Sequence, residues 1–485
     1  MTDYNVSLEH MRNLLRTSTF DKTGVKRSKV LQFYEPPDRT SDKTEPEPGD
    51  KKEPEPGDKK EPLRLFDKSD VLNMITQYTP SNNVMLQMTS KKVKEKMEKT
   101  TPIRFRLSRS FMKFENDEVG LSNVLTQLDK QSRSFNIVTI EMPGCQLTRL
   151  PNDGTDRIAE VLGDCPNLEY LNLSYTGIRN WNAIGEALSK CKNLKRVNFA
   201  KSILSNELFY GLQHCQELQD LDIHNSLHFH HCHDGLADLM KTCNTSLLKL
   251  NLSGCDFNGV GIGNTFNLIT DALPFCVNLK HLDLSNNGLP DDLMQLLQGA
   301  FSRCLQLENL NLSDNDFSTV VSRRMASWLG NSRALKYLNL KGNNIRTHAL
   351  DAYIRLGVFN SLICLNLSSC HIDNMRNSSV FGEGLSKCTH LTQLILSNNR
   401  LGDNFTEELV TALPRCTSLT SLDLMGIRAS DWGVQGLVDV IPKCTCLTRL
   451  NITDNMISTE TKTEIKNSWI QTHGDDHCGL WMDVE

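Results

Sequence analysis

The pattern LxxLxL, followed by a turn and an apolar anchor, returns twelve times in this chain, and an internal period of this kind constrains a fold more than any other sequence feature. Its first apolar position falls at Ile137, Leu168, Leu194, Leu218, Leu247, Leu279, Leu307, Leu335, Leu362, Leu391, Leu419 and Leu447. The steps between them are 31, 26, 24, 29, 32, 28, 28, 27, 29, 28 and 28 residues, near constant after Leu279 and irregular before it. The clearest copies are CPNLEYLNLSYTGI from Cys165, CVNLKHLDLSNNGL from Cys276, CLQLENLNLSDNDF from Cys304 and CTHLTQLILSNNRL from Cys388.

Two periodicities alternate within each unit. Leu171 and Leu173 alternate with Tyr170, Asn172 and Ser174, the spacing of a strand with one buried face. Behind the strand, Ile184, Ala187, Leu188 and Cys191 stand at i, i+3, i+4 and i+7. The same stripe recurs at Ile269, Ala272, Leu273, Cys276 and at Leu409, Ala412, Leu413, Cys416, and predicts short amphipathic helices. Pro274, Pro414 and Pro442 stop three of them, since proline lacks the backbone donor and disfavours helix in the residue before it.

One such unit cannot bury its apolar stripe alone, so neighbours must stack and share a core. A helix is roughly 10 Å across and strands sit about 4.8 Å apart, so the stack curves with helices outside and a parallel sheet on the concave side. The 39% hydrophobic and 6% aromatic content suits many thin, leucine-lined layers. From about Ile137 to Ile457 the pattern resembles the ribonuclease-inhibitor-like class of leucine-rich repeats, which includes the repeat regions of intracellular innate-immune receptors and of many F-box adaptors. The resemblance implies an α/β fold, a curved horseshoe solenoid. It implies binding of a protein partner and leaves the partner unnamed.

At one turn position stand Asn287, Asn315, Asn343, Asn399 and Asn455, with Cys145, Cys255 and Cys370 in place of asparagine. An asparagine there can satisfy backbone groups that have no other partner. Cys165, Cys191, Cys215, Cys276, Cys304, Cys388, Cys416 and Cys444 occupy the helix-end position, with Cys243 one residue off, and are expected to be small buried hydrophobes rather than disulfide partners.

Four segments are expected: a disordered, low-complexity stretch over 1–62, a small helical segment over 63–115, the solenoid over 116–458 and a C-terminal cap over 459–485. EPEPGDKK stands twice in tandem within 45–60 and offers nothing apolar to bury. Within 63–115, Val71, Leu72, Ile75 and Met85, Leu86, Met88 with SKKVKEKM are similar to a worn F-box, which implies docking to a cullin ligase adaptor subunit. A Leu-Pro pair at its start and a tryptophan in its last helix are missing, and a plain helical cap explains the same spacing. The basic, extended TPIRFRLSRSFMKF follows. Lys91 to Lys113 holds nine basic residues against Glu95 and Glu98, a local excess that fits an anionic partner or a solvated face. Leu121, Val124, Leu125 and Leu128 predict a helix covering one end of the array, and TETKTEIKNSWIQ with Leu480, Met482, Trp469 and Trp481 covers the other.

Net charge of −5 gives no reason to expect nucleic acid, and no run of apolar residues is long enough to span a membrane. MTDYNVSLEH does not read as a secretion signal. Asn172, Asn251, Asn311, Asn366 and Asn451 each open an Asn-x-Ser/Thr triplet within a predicted strand, where a glycan would fill the concave face, so cytoplasm or nucleus is expected.

No GxxxxGK[ST], GxSxG, HExxH or paired CxxC occurs, and the chain is expected to be no enzyme and to need no cofactor. A GTPase-activating role, known for one group with this fold, is an alternative without a placed catalytic group. His228, His230, His231, Cys232 and His233 are a weak candidate metal cluster, crowded too closely for a tetrahedral site without a second segment. Outward strand residues form rows on the concave face. The uniform row, Asn172 to Asn451, follows the repeat rule, while the varied row before it carries aromatics and both charges. The expected partner-binding residues are Tyr170, Arg196, His224, Lys249, His281, Tyr337 and Arg449.

Overall fold

The computed structural model describes residues 103–106, 118–132, 136–150, 154–226, 232–257, 263–289, 291–301, 303–315, 317–373, 379–474 and 479–482. These all fall within one compact unit, Leu65–Glu485. The tail expected over 1–62, the F-box-like stretch from Val71 to Met97 and the basic run from Lys91 to Lys113, apart from Ile103–Arg106, lie outside the described residues.

Fourteen parallel strands form one open sheet in strict sequence order. They are β1 Ile103–Arg106, β2 Ile137–Glu141, β3 Tyr170–Asn172, β4 Arg196–Asn198, β5 Asp220–Asp222, β6 Lys249–Asn251, β7 His281–Asp283, β8 Asn309–Asn311, β9 Tyr337–Asn339, β10 Cys364–Asn366, β11 Gln393–Ile395, β12 Ser421–Asp423, β13 Arg449–Asn451 and β14 Leu480–Trp481. An α-helix follows most strands and returns the chain to the next, which gives a curved leucine-rich-repeat solenoid with the sheet on its concave side and the helices on its convex side.

The leucines dictate this order. All three apolar positions of the motif face the interior in every copy, as with Leu168, Leu171 and Leu173 or Leu391, Leu394 and Leu396, each at most 2% exposed. Helix residues such as Ile184, Leu188, Ile269 and Leu409 meet them from behind, and the contacts merge into one continuous core from Phe105 to Trp469. Complete burial of one leucine is worth roughly 1.5–3 kcal/mol, so each added layer stabilises its neighbour.

The prolines act more gently than a stop. The helices Gly263–Ala272, Gly402–Ala412 and Leu437–Val440 each tighten into a 3₁₀ turn, Leu273–Phe275, Leu413–Arg415 and Ile441–Lys443, with the proline in its first positions. There its missing donor would have had no helical partner.

The asparagine turn ties successive layers together. Asn287 Nδ2 donates to the carbonyls of Leu252 and Leu284, Asn315 to Leu284 and Leu312, Asn343 to Leu312 and Leu340, and Asn455 to Leu424 and Ile452, all within 2.8–3.1 Å. Cys255 and Cys370 reach back with Sγ to Ile223 O and Leu340 O at 3.3 and 3.2 Å. The same turn position holds Thr176, Ser202 and Ser226, which the sequence pattern missed, and Ile427, which has no polar atom. Thr176 Oγ1 bonds only its own turn, at Leu173 O.

The sheet begins earlier than the LxxLxL count places it. β1 pairs with β2 across a register shift between Ile103 and Arg104. Behind it, the helix Glu118–Ser132 buries Leu121, Leu125 and Leu128. Arg157 clamps that helix, Nη1 donating to Ser122 Oγ and Nη2 to Ser122 O and Thr126 Oγ1. At the far end the helix Thr459–His473 buries Ile465 and Trp469, and Leu480 pairs with Leu450. Trp469 closes the core at 1% exposure, whereas Trp481 stands 42% exposed on the sheet.

Candidate functional site

Strand pairing places the first outward residue of each short strand on one line. Tyr170 pairs with Arg196, and the line runs on through Asp220, Lys249, His281, Asn309, Tyr337, Cys364, Gln393, Ser421 and Arg449. Tyr170 to Tyr337 spans six strand spacings, roughly 29 Å at about 4.8 Å each. Arg449 stands four strands further on, beyond the small neutral side chains of Cys364, Gln393 and Ser421. Six of the seven expected residues therefore share the line, five of them in one contiguous stretch.

His224 is off this line. It follows Asp222 by two positions, and its Nδ1 lies 2.7 Å from Asp222 Oδ1. Asp222 Oδ2 in turn accepts from Asn198 Nδ2 at 3.0 Å. His224 is thus held at the strand end, where the backbone turns away from the sheet.

The uniform line has a structural cause. Asn172, Asn198, Asp222, Asn251, Asp283, Asn311, Asn339, Asn366, Asp423 and Asn451 each accept, through Oδ1, the backbone N–H two residues on, at 3.0–3.2 Å. That bond caps the strand and starts the turn, a local task Asn and Asp perform well. In β11 the position is Ile395, which cannot do so.

Charge alternates along the varied line. The Arg196 guanidinium carbon sits 4.8 Å from the centroid of the Tyr170 ring, a contact worth roughly 0.5–1 kcal/mol at an exposed site. Asp220 stands between Arg196 and Lys249. Desolvation pushes its carboxyl above the usual range, and Lys249 opposes that shift. His281 is held below the ordinary imidazole value by burial and then by Lys249, with Glu308 acting against both. Tyr337 is 42% exposed, an aromatic available for contact.

A second charged row borders the first. Glu169 Oε1 lies 3.5 Å from Lys195 Nζ. Glu308 bridges two lysines, Oε1 to Lys280 at 3.0 Å and Oε2 to Lys336 at 2.7 Å, and their hydrogen bonds hold its carboxyl below the usual range. Further along, Thr392, Thr420 and Thr448 spend their hydroxyls on the carbonyls of Ile363, Thr392 and Thr420. The concave face is therefore charged and aromatic from β3 to β9 and largely neutral from β10 to β12. Asp220 and Glu308 were missed as individual candidates, although their sign alternates with the lysines and arginine at matching repeat positions.

These layers, strand–turn–helix units stacked in register with a buried leucine spine, are matched by two family models, both described as leucine-rich repeat. One matches residues 243–263, 387–404 and 443–460, and the other 278–300. The chain carries leucine-rich repeats. Among solved structures, it is similar to an internalin (InlF) of Listeria monocytogenes at 16% identity and TM-score 0.43, over 74% of this chain and 89% of that one. A leucine-rich-repeat protein of Leptospira interrogans is similar at 18% identity and TM-score 0.39, over 74% and 98%. No curated protein sequence matches.

Within the repeats, the helix-end cysteines are buried, except Cys444 in the last full repeat, which is half-buried. Cys191 Sγ donates to Leu162 O and Cys165 O at 3.5 Å, and Cys215 Sγ to Leu188 O at 3.4 Å. Burial pushes the thiols of Cys165, Cys191, Cys215, Cys276 and Cys388 up to about 12. Of the weak metal candidates, His228, His230 and His231 lie outside the described residues. Cys232 is fully buried with its thiol pushed up by desolvation, and His233 opens the helix His233–Thr242 with Nε2 3.8 Å from Asp234. Among the described residues no group of three or more His, Cys, Asp or Glu side chains is placed to hold a metal, and no helix is long and apolar enough to cross a membrane.

Proposed function

We propose that this chain is a non-enzymatic interaction protein that binds a protein partner along the concave line from Tyr170 to Tyr337, with a solenoid of the ribonuclease-inhibitor-like class. The observation that carries the reading is the alternation Arg196, Asp220, Lys249 on one register line, bounded by Tyr170 and Tyr337. Tyrosine and arginine are the residues that anchor interfaces, and alternating charge fixes the register of a complementary surface. Cytoplasm or nucleus is the compartment that fits, since Asn172, Asn251, Asn311, Asn366 and Asn451 open Asn-x-Ser/Thr triplets on the strands, where a glycan on the amide nitrogen would fill the proposed binding face.

Affinity capture from cells with the full chain and with an Arg196→Glu, Lys249→Glu variant tests the reading. Both side chains are exposed, so the variant should fold. Proteins retained by the original chain and lost from the variant are the expected result. An identical set from both would remove the concave line as the binding surface.

A further inference from the structure

The outer helices carry a charge pattern that the concave reading does not use. Every other α-helix among the described residues holds at least one carboxylate, for example Glu186, Glu207, Glu383 and Glu408. The helix Thr319–Leu329 holds none. It presents Arg323 and Arg324 to solvent, and neither makes an ion pair. Its neighbour, Arg346–Arg355, adds Arg346 and Arg355 against one acid, Asp351, which Arg355 Nε already engages at 2.9 Å. Together the two helices carry Arg323, Arg324, Arg346 and Arg355 against Asp351 alone, within a chain of net charge −5. Two large apolar side chains flank the arginines, Val320 at 61% and Leu356 at 52% exposure.

We propose that the convex surface of these two helices is a second docking site, for an acidic protein segment with an apolar residue among its carboxylates. Arginine pairs with carboxylates through a planar fork and is the cation interfaces favour. The acidic helices elsewhere on the convex side repel such a segment, so charge alone fixes where it docks. Nucleic acid fits less well, because these helices offer no exposed aromatic on which a base could stack: Trp328 is 9% exposed and Tyr353 fully buried. A flat anionic membrane would press the neighbouring acidic helices against like charge, whereas a narrow segment need cover only two helices.

Fluorescence anisotropy with the full chain and a labelled Glu-Glu-Leu repeat peptide tests this, with a uridine oligonucleotide and phosphatidylserine vesicles as competing probes. The peptide should bind, should weaken as salt is raised, and should lose on the order of tenfold affinity in an Arg323→Glu, Arg324→Glu variant. The Arg196→Glu, Lys249→Glu variant should bind it as the original chain does, which separates this site from the concave one. Arg324→Ser, should the double variant fold poorly, should show a smaller loss in the same direction. Equal peptide affinity in the original chain and the variants, absence of peptide binding, or tighter binding of the oligonucleotide or vesicles at these arginines would overturn the proposal.

Discussion

The side-chain amide of Asn399 donates to the carbonyl oxygen of Leu367, one repeat upstream, at 2.8 Å. The same amide donates to Leu396 O at 2.8 Å, and Asn399 Oδ1 accepts from the backbone N–H groups of Cys370 and Ile372 at 3.0 and 3.1 Å. One side chain thus satisfies four backbone groups in two layers where water has no access. Asn399→Ala strands them, and each orphaned buried group costs roughly 1–3 kcal/mol. A loss of about 3 kcal/mol in urea unfolding is expected after partial relaxation. Cys370→Ala, which removes one weaker donor, should cost clearly less. Equal losses from the two variants would mean that the asparagine turn does not tie the layers.

The thiol ladder predicts which cysteines react. Cys446 is exposed and Cys364 and Cys444 are half-buried, while Cys191, Cys215 and Cys276 lie at 0% exposure with thiols pushed up to about 12. Since the thiolate is the nucleophile, alkylation at neutral pH should mark Cys446 in the folded protein and leave those three untouched until urea unfolds the chain. Peptide mapping by mass spectrometry reads this directly. Labelling of Cys191 at the rate of Cys446 under native conditions would contradict the packing.

The leucine spine was legible because its period survives every substitution of neighbouring residues: Ile137, Val197 and Phe199 stand in for leucine without breaking it. β1 was not counted among the repeats because IRFR has only two apolar residues and meets β2 across a register shift. The binding line was half legible. Its residues follow from counting along each repeat, but the contact of Arg196 with Tyr170 depends on an in-register pair separated by 26 residues. His224 was placed on the strand by its proximity in sequence, whereas the strand ends at Asp222 and the imidazole turns back to bond it. The arginine-bearing outer helices are not legible in the same way, because helix periodicity marks the buried face and says nothing of which charges gather on the exposed one.

His281 predicts a pH dependence of folding. Its imidazole is held below the ordinary value of 6.5 by burial and by Lys249, with Lys280 acting the same way and Glu308 against. A depressed folded-state value means that the unfolded chain takes up the proton first, so this contribution to stability is present above pH 6.5 and is lost as pH falls through the folded value. His281→Gln removes the proton acceptor and keeps a polar side chain. Its urea midpoint should fall less than that of the original chain between neutral and mildly acidic pH. Parallel decreases in the two proteins would show that His281 contributes nothing to acid sensitivity.

Arg157 decides whether the first repeat is covered. Its guanidinium makes three hydrogen bonds to Ser122 and Thr126, at 2.9, 3.0 and 2.6 Å, and these join the helix Glu118–Ser132 to the helix Gly154–Gly163. Beneath the clamp, Leu125 and Leu128 are sealed, and among the described residues this helix packs against the helix Gly154–Gly163, with one layer beside it where a middle repeat has two, so it is expected to open with a lower free energy than the middle of the array. Arg157→Ala should therefore act locally. Amide exchange over residues 118–132 should accelerate by roughly tenfold, the equivalent of about 1.4 kcal/mol, while exchange in β7 to β12 stays unchanged. Faster exchange spread evenly along the array would instead mean that the repeats unfold as one block and that the clamp supports the whole solenoid.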